Sequence, residues 1–310
     1  MIVIIMGYNA AGKTTLVKKY VDDGFYRVNR DELGGRLKDL HEYVVAAHKE
    51  GHTKFVLDNT YRNVEARRKI IETAKTLGMP IHCVWLDTSF EDAQFNACTR
   101  MVRQTGILYG PAEFKKTTDP NLFPPVALFG YRKEFEKPTM AEGFDSIEKI
   151  PFVRVKDPAY KNKALILDLD GTVRNSTGPE PYPLTPNHIE ILPGRSELIQ
   201  QYRDKGYIIA GVSNQSGVAK KKLTLADVDL CIKRTCELLK QEIDVLYCPH
   251  QVPPVSCYCR KPHPGLGVVL IEKYKLDAEQ CIFVGDQTTD ATFAERCGFQ
   301  YQHPDQFFGG

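Results

Sequence analysis

The chain has no long apolar segment and no marked excess of charge. Its longest apolar run near the N-terminus, Ile2–Met6, is far too short to span a membrane. No charged stretch precedes this run, so we do not expect a signal peptide. With 41 basic and 39 acidic side chains the net charge is +2, so any basic groove for nucleic acid must be local. We expect a cytoplasmic protein, or a nuclear one in a eukaryote, with no membrane partner.

Internal repeats, low-complexity tracts and coiled-coil heptads are also absent from the sequence. A chain of 310 residues is long enough for two domains, and short β-rich runs alternate with helical stretches throughout. This alternation predicts an α/β protein with two doubly wound parallel-sheet domains. We place the domains at residues 1–152 and 163–310. The segment 153–162, which has no clear periodicity, is the predicted linker.

Residues 7–15 read GYNAAGKTT and follow a strand-like run directly. Gly7, Gly12, Lys13 and Thr14 match the pattern G-x-x-x-x-G-K-[ST] of a P-loop. The glycines allow backbone N–H groups to surround phosphates at a helix N-terminus. Lys13 would neutralise the β- and γ-phosphates, and Thr14 would hold Mg²⁺. We therefore predict a site for ATP or GTP, to which Thr15 also belongs.

Two carboxylates are candidates for the acceptor side of this site. A kinase that phosphorylates a hydroxyl needs a carboxylate that takes or orients its proton, and Asp31 in the sequence NRD is our candidate. Asp58, at the end of an apolar strand, would be a second. Both have a plainer alternative as helix caps, because Asp31 precedes Glu32 and Asp58 precedes Asn59 in polar loops.

A second phosphate-handling motif, DLDGT at residues 168–172, follows another apolar strand. Of two carboxylates at such a strand end, Asp168 can attack phosphorus while Asp170 protonates the leaving group and then activates water. Mg²⁺ would let an anionic carboxylate approach a phosphate. Asp286, after a later strand, supplies a further oxygen ligand. We predict Asp168, Asp170 and Asp286 as the magnesium ligands.

Further polar residues in the second half fit phosphate binding. Ser213 and Asn214 end an apolar strand and can hydrogen-bond phosphoryl oxygens, and Lys261 can balance their charge. A turn at a strand end is the alternative for any one of them, so their order along the chain is the informative feature. The intervals between these motifs are too short for an extra domain, which predicts an uncapped, open site suited to a macromolecular substrate.

Cys248, His250, Cys257 and Cys259 form the most distinctive cysteine pattern. Three thiols and one imidazole at this spacing match a closed structural Zn²⁺ site, which would order a loop that is too small for its own core. Four unrelated core residues are the alternative. The remaining cysteines have no metal spacing, and we expect them to be buried: Cys83, Cys98, Cys231, Cys236, Cys281 and Cys297.

The motifs VNRDELGG and LDNT, together with residues 131–152, resemble the kinase domain of the polynucleotide kinase-phosphatase family. The resemblance implies that Asp31 is the general base for a 5′-hydroxyl, with Arg30 and Asp58 near the acceptor. It also implies that Arg100 and Arg103 clamp the phosphates from a lid, although two arginines three apart on a helix are more often a solvated face. Gly34 stands where the phage enzyme has an arginine for the acceptor's 3′-phosphate.

The second half of the chain resembles the haloacid dehalogenase superfamily of phosphatases in the order of its motifs, which is DLDGT, Ser213, Lys261 and GDQTTD. The resemblance implies that Asp168 is the nucleophile and Asp170 the acid/base, and that Asp286, with Asp290, belongs to the metal site. The cysteine-histidine segment, which runs into CRKPHPG, is similar to the zinc loop of histidinol-phosphate and heptose-bisphosphate phosphatases. The terminal HPDQFF resembles the end of the animal polynucleotide phosphatase domain.

Two phosphate sites that acted on the same atom would only hydrolyse ATP, so we expect them to act on different positions of one substrate. The resemblance, which covers essentially the whole chain, implies a bifunctional enzyme of DNA or RNA repair. It would use ATP, Mg²⁺ and structural Zn²⁺ to phosphorylate 5′-hydroxyl ends and remove 3′-phosphates, and would be linked functionally to a ligase. The main alternative is a small-molecule kinase fused to a heptose-bisphosphate-type phosphatase. A nucleotide-dependent scaffold with degenerate sites is the third, although intact Lys13, Asp31, Asp168 and Asp170 argue against it.

Overall fold

The computed structural model describes residues 1–251 and 257–309. The chain divides into two compact units, each built on a five-stranded parallel sheet. The first unit comprises Met1–Ala97 and Thr118–Arg154, and the second comprises Cys98–Thr117 and Val155–Gly310. The main division falls inside the predicted linker. The sequence predicted a continuous first domain, whereas the structure groups residues 98–117 with the second unit.

The first sheet has the strand order β2-β3-β1-β4-β5, with every neighbouring pair parallel. Side chains of the central strand β1 alternate between two hydrophobic cores. Ile2, Ile4 and Met6 pack into one core and Val3 and Ile5 into the other. The strand is therefore buried on both faces, which explains its uninterrupted apolar sequence. The strands are β1 (Ile2–Met6), β2 (Tyr26–Val28), β3 (Phe55–Asp58), β4 (Ile81–Asp87) and β5 (Ser146–Pro151).

Seven helices lie between or beside these strands in the sequence. They are α1 (Lys13–Asp22), α2 (Arg30–Leu33), α3 (Leu40–Lys49), α4 (Val64–Thr76), α5 (Phe90–Thr105), α6 (Pro111–Phe114) and α7 (Val126–Glu134). Helix α5 begins in the first unit, and its last residues belong to the second, as does α6. In the described residues no helix is both long enough and apolar enough to cross a bilayer.

The second sheet has the order β10-β9-β6-β11-β12, again with parallel neighbours. All four residues of the central strand β6 are buried, and Leu165 and Leu167 pack on a core that includes Ile199 and Phe307. Strands β7 and β8 form a separate antiparallel pair. The strands are β6 (Ala164–Leu167), β7 (Arg174–Ser176), β8 (Ile189–Ile191), β9 (Ile208–Asn214), β10 (Asp244–Cys248), β11 (Ile282–Val284) and β12 (Gln300–Gln302).

The two parallel sheets with helices between their strands confirm the α/β fold predicted from the sequence, and the connections of the second unit are short. One hairpin and one helix separate β6 from β9, and a single helix separates β9 from β10. These intervals leave no room for a cap domain. The helices are α8 (Arg195–Asp204), α9 (Leu225–Leu239), α10 (Gly265–Tyr274), α11 (Thr288–Cys297) and α12 (Pro304–Phe308).

The central strand of each sheet precedes a phosphate-handling motif. Open α/β sheets bind ligands at the carboxyl ends of their strands, where the strand order reverses. In the first sheet this place is the end of β1, which the P-loop follows, and in the second it is the end of β6, which DLDGT follows. The topology therefore puts both motifs where such folds bind ligands.

Candidate active sites

The P-loop joins β1 to α1 through two glycines that the backbone geometry requires. Gly12, the residue before α1, has φ = 92°, in the left-handed region that glycine adopts without strain. A Cβ atom on Gly7 would lie 3.1 Å from the backbone oxygen of Leu86 and 3.2 Å from the Cβ atom of Ala11. The loop thus has the shape of a phosphate cradle at a helix N-terminus, as the sequence predicted.

Side chains from other elements hold this loop. The Thr88 hydroxyl donates to the carbonyl of Ala11 at 3.2 Å, and the Asn96 side-chain amide donates to the carbonyl of Ala10 at 3.0 Å. The Lys13 ammonium donates to the carbonyls of Gly7 and Tyr8. Its amino group therefore lies within the loop, where it could neutralise a bound polyphosphate.

Asp58, at the end of β3, is buried and held by two side chains from the β2 side. Its carboxylate accepts two hydrogen bonds from the Arg27 guanidinium, at 3.0 and 2.6 Å. The Asn29 amide donates to the same carboxylate at 3.0 Å and to the Asp58 carbonyl at 2.8 Å. Because β2 and β3 are parallel neighbours, their carboxyl ends meet, and this buried network is the result.

Asp31 lies beside this network with its carboxylate partly exposed to solvent. Arg30 donates to it at 2.9 Å, and both side chains are more than two-fifths exposed. The cap of α2 is Asn29, whose side chain accepts from the Asp31 backbone N–H. The cap of α4 is Asn63. Asp31 and Asp58 therefore cap neither of these helices; the Asp31 carboxylate is open to solvent, and the Asp58 carboxylate is bound by Arg27 and Asn29.

The two arginines predicted for a lid lie on α5, in the part that belongs to the second unit. Arg103 forms an ion pair with the buried Glu272 at 2.9 Å, and its guanidinium also donates to the Tyr160 hydroxyl at 3.2 Å. Arg100 is half-buried. Contacts of this kind explain why residues 98–117 group with the second unit. The lid role of both arginines stays a prediction.

Asp168 forms the centre of the second site, directly after β6. The Lys261 ammonium lies 2.6 Å from Oδ1 of Asp168 and 2.7 Å from Oδ1 of Asp290, and all three side chains are at least 90% buried. Burial raises the pKa of Asp168 to about 7, while the charge of Lys261 acts in the opposite direction. Burial also disfavours the charge of Lys261, but Asp168 and Asp290 raise its pKa.

Asp170 points to a different set of partners. Its Oδ1 accepts from the Arg174 guanidinium at 2.8 Å, and its Oδ2 accepts from the side-chain amide of Gln215 at 2.9 Å. The same amide nitrogen donates to the Ser213 hydroxyl at 2.8 Å. The predicted acid/base and the predicted phosphate-binding serine are thus joined through one side chain.

Asn214 holds the loop that carries Lys261. Its side-chain oxygen accepts from the Lys261 backbone N–H at 3.0 Å, and its amide donates to the Lys261 carbonyl at 3.2 Å. The sequence predicted that Asn214 binds phosphate. That role stays a prediction. In the structure the Asn214 side chain holds the backbone of Lys261, in the loop after β10, and the Lys261 ammonium reaches Asp168 at the end of β6.

Three carboxylates lie close enough together to hold a cation. Oxygen atoms of Asp168, Asp286 and Asp290 lie within 4.8 Å of one another. Oδ1 of Asp286 is buried and has no hydrogen-bond partner among the described residues. A Cβ atom on Gly285 would lie 2.5 Å from Oδ2 of Asp290, and one on Gly171 would lie 2.7 Å from Oδ2 of Asp286. The two glycines therefore let the carboxylates converge, and the oxygen donors fit Mg²⁺.

This carboxylate cluster differs from the predicted ligand set in one member. Within the described residues the cluster includes Asp290 and leaves out the Asp170 carboxylate. The reason is that both oxygens of Asp170 accept hydrogen bonds from Arg174 and Gln215. The Asp170 carboxylate thus lies outside the cluster, and its role as a Mg²⁺ ligand stays a prediction.

The cysteine-histidine cluster has the dimensions of a tetrahedral metal site. Ligand atoms of Cys248, His250, Cys257 and Cys259 lie within 4.8 Å of one another. Sγ of Cys248 is 3.8 Å from Sγ of Cys257 and 3.5 Å from Nδ1 of His250, which is 3.2 Å from Sγ of Cys259. Bond lengths of about 2.3 Å to sulfur and 2.0 Å to nitrogen around Zn²⁺ produce similar ligand spacings. Of the other cysteines, five are buried and Cys236 is only partly buried.

Four residues that sequence reasoning missed complete the two sites: Arg27, Asn29, Arg174 and Gln215. Two of them carried a local signal. Asn29 lies two residues before Asp31 in an N-cap position, and Gln215 comes directly after the predicted phosphate-binding pair. Arg27 and Arg174 gave no such signal. Arg27 meets Asp58 only through the register of β2 and β3, and Arg174 meets Asp170 only through the turn after β6.

The fold and these two centres define a P-loop domain followed by a haloacid dehalogenase-type phosphatase. Comparison with known families agrees. Residues 2–104 match the family described as AAA domain, and residues 163–308 match the family described as polynucleotide kinase 3 phosphatase. The chain thus carries a kinase domain and a phosphatase domain.

The curated relatives reported below match half of this chain or less. A probable D-glycero-D-manno-heptose-1,7-bisphosphate 7-phosphatase of Thermoplasma volcanium is 37% identical over 139 residues, which are 43% of this chain and 92% of that protein. The bifunctional polynucleotide phosphatase/kinase of Schizosaccharomyces pombe is 31% identical over 157 residues, which are 50% of this chain and 35% of that protein. One chain in the structure of the Pnkp1/Rnl/Hen1 RNA repair complex is 17% identical to this chain, with a TM-score of 0.33. The alignment covers 97% of this chain and 94% of that chain.

The chain belongs to the family of the heptose-1,7-bisphosphate 7-phosphatase of which it covers 92%, and its phosphatase domain comprises residues 163–308. It is also a homologue of the bifunctional polynucleotide phosphatase/kinase, of which it covers about a third.

Proposed function

We propose that the protein heals nucleic-acid ends by phosphorylating a 5′-hydroxyl with ATP and by removing a 3′-phosphate. The observation that carries the proposal is the match of residues 163–308 to the polynucleotide kinase 3 phosphatase family on a chain whose first unit has a P-loop. Activities at opposite ends of a strand break do not undo each other. The two sites can therefore serve one substrate without wasting ATP.

In the kinase site, the P-loop glycines and Lys13 bind the β- and γ-phosphates, with Thr14 and Thr15 at the start of α1. Asp31, which is partly exposed, accepts the proton of the 5′-hydroxyl as its oxygen attacks the γ-phosphorus. The Arg27–Asp58–Asn29 network fixes the turn that carries Asp31, because Asn29 is also the cap of α2. Arg30, beside Asp31, contacts the acceptor.

In the phosphatase site, an oxygen of Asp168 attacks the phosphorus of the 3′-phosphate. The bond between phosphorus and the 3′-oxygen breaks, and the protonated Asp170 gives its proton to that oxygen. Water then attacks the phosphoaspartate and gives a proton to the Asp170 carboxylate, which releases phosphate and restores both groups. Ser213 and Lys261 bind the phosphoryl oxygens throughout.

The residues present fit two metal ions. Asp168, Asp286 and Asp290 would hold Mg²⁺, which when bound offsets the repulsion between the phosphate and the attacking carboxylate. Cys248, His250, Cys257 and Cys259 would hold Zn²⁺ in a structural role. With the metal bound, this second site would link the end of β10, at Cys248, to the loop that carries Lys261.

The products of the two reactions, a 5′-phosphate and a 3′-hydroxyl, are the ends that a ligase joins. We therefore place the protein in DNA or RNA repair, before a ligation step. All nine cysteines are free in the described part of the chain, which suits a reducing compartment such as the cytoplasm, or the nucleus of a eukaryote.

A heptose-bisphosphate-type phosphatase fused to a small-molecule kinase is the second candidate. Two observations favour it, namely the 37% identity to the Thermoplasma volcanium protein over 92% of that protein's length and the geometry of the cysteine-histidine cluster. This candidate predicts turnover of free sugar phosphates and no action on oligonucleotides.

One assay separates the two candidates. An oligonucleotide that carries a 5′-hydroxyl and a 3′-phosphate is incubated with Mg²⁺ and γ-labelled ATP, and label uptake and phosphate release are followed separately. Asp31→Asn should abolish label uptake alone, and Asp168→Asn should abolish phosphate release alone. Heptose bisphosphate is tested in parallel with DNA and RNA versions of the oligonucleotide. Hydrolysis of the sugar phosphate without change at either oligonucleotide end would contradict our proposal.

A further inference from the structure

Arg174, the first residue of β7, is a charged side chain buried where the mechanism does not call for one. Only 1% of its side chain is exposed. A buried guanidinium is stable only when its donors are paired. Its position is fixed by the turn after β6, because the Arg174 backbone N–H donates to the Leu169 carbonyl at 3.0 Å and its carbonyl accepts from Gly171 at 2.9 Å.

The guanidinium connects the Asp170 carboxylate to α9. Its Nε donates to Oδ1 of Asp170 at 2.8 Å. Its Nη1 donates to the Thr235 hydroxyl at 2.6 Å and to the carbonyl of Cys231 at 3.2 Å. The Thr235 hydroxyl in turn donates to the Cys231 carbonyl at 2.8 Å. Nη1 of the arginine is therefore anchored on the 15-residue helix α9, and Nε contacts one oxygen of Asp170.

The other oxygen of Asp170 faces the phosphate-binding side chains. Gln215, which is buried, donates from a single amide nitrogen to Oδ2 of Asp170 and to the Ser213 hydroxyl. The two oxygens of Asp170 are thus distinguished. Oδ1 is turned toward the buried arginine, and Oδ2 is turned toward the place where Ser213 would bind a phosphoryl group.

We infer that Arg174 is a positioning residue for phosphate-ester hydrolysis, which holds Asp170 so that Oδ2 is the oxygen that exchanges protons with the leaving group and with water. The inference rests on the acid/base role of Asp170 in the proposed phosphatase reaction, but it does not depend on which phosphate ester is the substrate. In the first step the proton on Oδ2 moves to the leaving oxygen as the bond from that oxygen to phosphorus breaks. In the second step Oδ2 accepts a proton from the attacking water.

A comparison of leaving groups tests this role. An alkoxide needs a proton when it leaves, whereas p-nitrophenolate leaves without one, and a well-placed acid contributes about 10²–10⁴-fold. The quantity to compare is kcat/KM, because it covers the steps up to departure of the leaving group and not the later attack of water, which is common to all esters. For Arg174→Gln we expect kcat/KM to fall about 100-fold with β-glycerophosphate and with a 3′-phosphorylated oligonucleotide. With p-nitrophenyl phosphate the fall should be below about fivefold, because that leaving group does not use the acid. Asp170→Asn serves as the reference and should show the same discrimination, more strongly.

Two further variants keep the test informative. Arg195→Gln is the matched control, because Arg195 donates to the carbonyl of Thr172 in the same turn and the contacts found for it include neither catalytic carboxylate. It should leave the ratio of alkyl to aryl rates unchanged. If Arg174→Gln fails to fold, as judged by its Tm, Arg174→Lys retains the charge and should show the same selective loss to a smaller degree.

Equal losses with alkyl and aryl esters, or no loss with either, would overturn the inference and leave Arg174 as a structural residue. Turnover of β-glycerophosphate by the wild-type protein without turnover of the oligonucleotide would count against the nucleic-acid substrate alone. The comparison between β-glycerophosphate and p-nitrophenyl phosphate would still decide the role of Arg174.

Discussion

The ammonium of Lys261 lies between the carboxylates of Asp168 and Asp290, 2.6 Å from one and 2.7 Å from the other. The lysine comes from the loop after β10, and the carboxylates follow β6 and β11. One cation thus lies between acidic groups that follow two neighbouring strands of the second sheet. A phosphate that binds beside Asp168 would meet this same cation.

Removal of that charge should affect both catalysis and folding. We expect Lys261→Met to lower phosphatase kcat by about 100-fold or more, because a fixed positive charge no longer faces the phosphoryl oxygens. Two buried carboxylates lose their partner, so the free energy of unfolding should fall by about 3 kcal/mol. Steady-state assays and urea unfolding measure the two effects. Kinase activity is the internal control, and a variant that kept its phosphatase rate would contradict the role of Lys261.

The pKa of Asp168 makes the stability of the second unit depend on pH. Burial raises this pKa from 3.8 to about 7, so the folded state prefers the protonated carboxyl. The resulting stabilisation is full below pH 3.8 and is lost as pH rises through 7. In EDTA the wild-type Tm should therefore fall more between pH 5.5 and pH 8 than that of Asp168→Asn. Identical pH profiles for the two proteins would show that Asp168 has an ordinary pKa.

Magnesium binding should show the opposite pH dependence. A carboxylate must be ionised before it can coordinate Mg²⁺, so the affinity should increase about tenfold per pH unit below pH 7 and level off above it. Titration calorimetry at three pH values measures this slope. Asp290→Asn, which keeps the nucleophile, should weaken Mg²⁺ binding at every pH. An affinity independent of pH between 5.5 and 7 would argue against Asp168 as a ligand.

In the kinase unit, the ion pair between Arg27 and Asp58 should contribute to both stability and the kinase rate, although neither residue belongs to the P-loop. Arg27→Met leaves the buried Asp58 without its charged partner, so we expect a loss of about 2 kcal/mol in unfolding free energy. The turn that carries Asp31 shifts, which should lower the kinase rate about 100-fold. Phosphate release from the 3′ end serves as the control. Arg36→Met, which breaks an exposed pair with Asp39, should leave both quantities nearly unchanged.

The cysteine-histidine cluster should bind one zinc ion per chain. Metal analysis of the purified protein should find it, and Cys257→Ser should reduce the content. Loss of the metal should lower the Tm by at least about 5 °C and stop phosphatase activity without stopping the kinase. Cys236→Ser is the matched control, because Cys236 is a partly buried cysteine outside the cluster. A native protein without zinc that kept full phosphatase activity would exclude the site.

Much of this architecture could be predicted from the sequence. The buried strands β1, β3 and β6 are short apolar runs in the sequence, and the P-loop, Asp58 and the DLDGT motif stand at their ends as predicted. Periodicity identifies such strands because a fully buried strand has no polar face. The P-loop and the metal-binding pattern of the cysteines are also local in the sequence. In the structure the P-loop has the glycine conformations that a phosphate loop requires, and the cysteine-histidine cluster has the spacing of a tetrahedral metal site.

Other features of the sites depended on contacts between distant parts of the chain. Arg27 meets Asp58 only because β2 lies beside β3 in a particular register. The carboxylate of Asp170 lies outside the metal cluster because it accepts hydrogen bonds from Arg174 and Gln215. No spacing rule in the sequence describes that orientation. Residues 98–117 join the second unit through pairs such as Arg103 and Glu272, which are 169 positions apart.

The assignment of residues 98–117 to the second unit limits how the two activities can be separated genetically. A gene split at codon 155 would produce a phosphatase fragment that lacks Arg103, the charged partner of the buried Glu272. Such a fragment would leave Glu272 of α10 with only Tyr160 and Lys275 as partners. Its inactivity would then say nothing about the phosphatase itself. Point substitutions in the intact gene, rather than truncations, are therefore the means of assigning each phenotype to one catalytic activity.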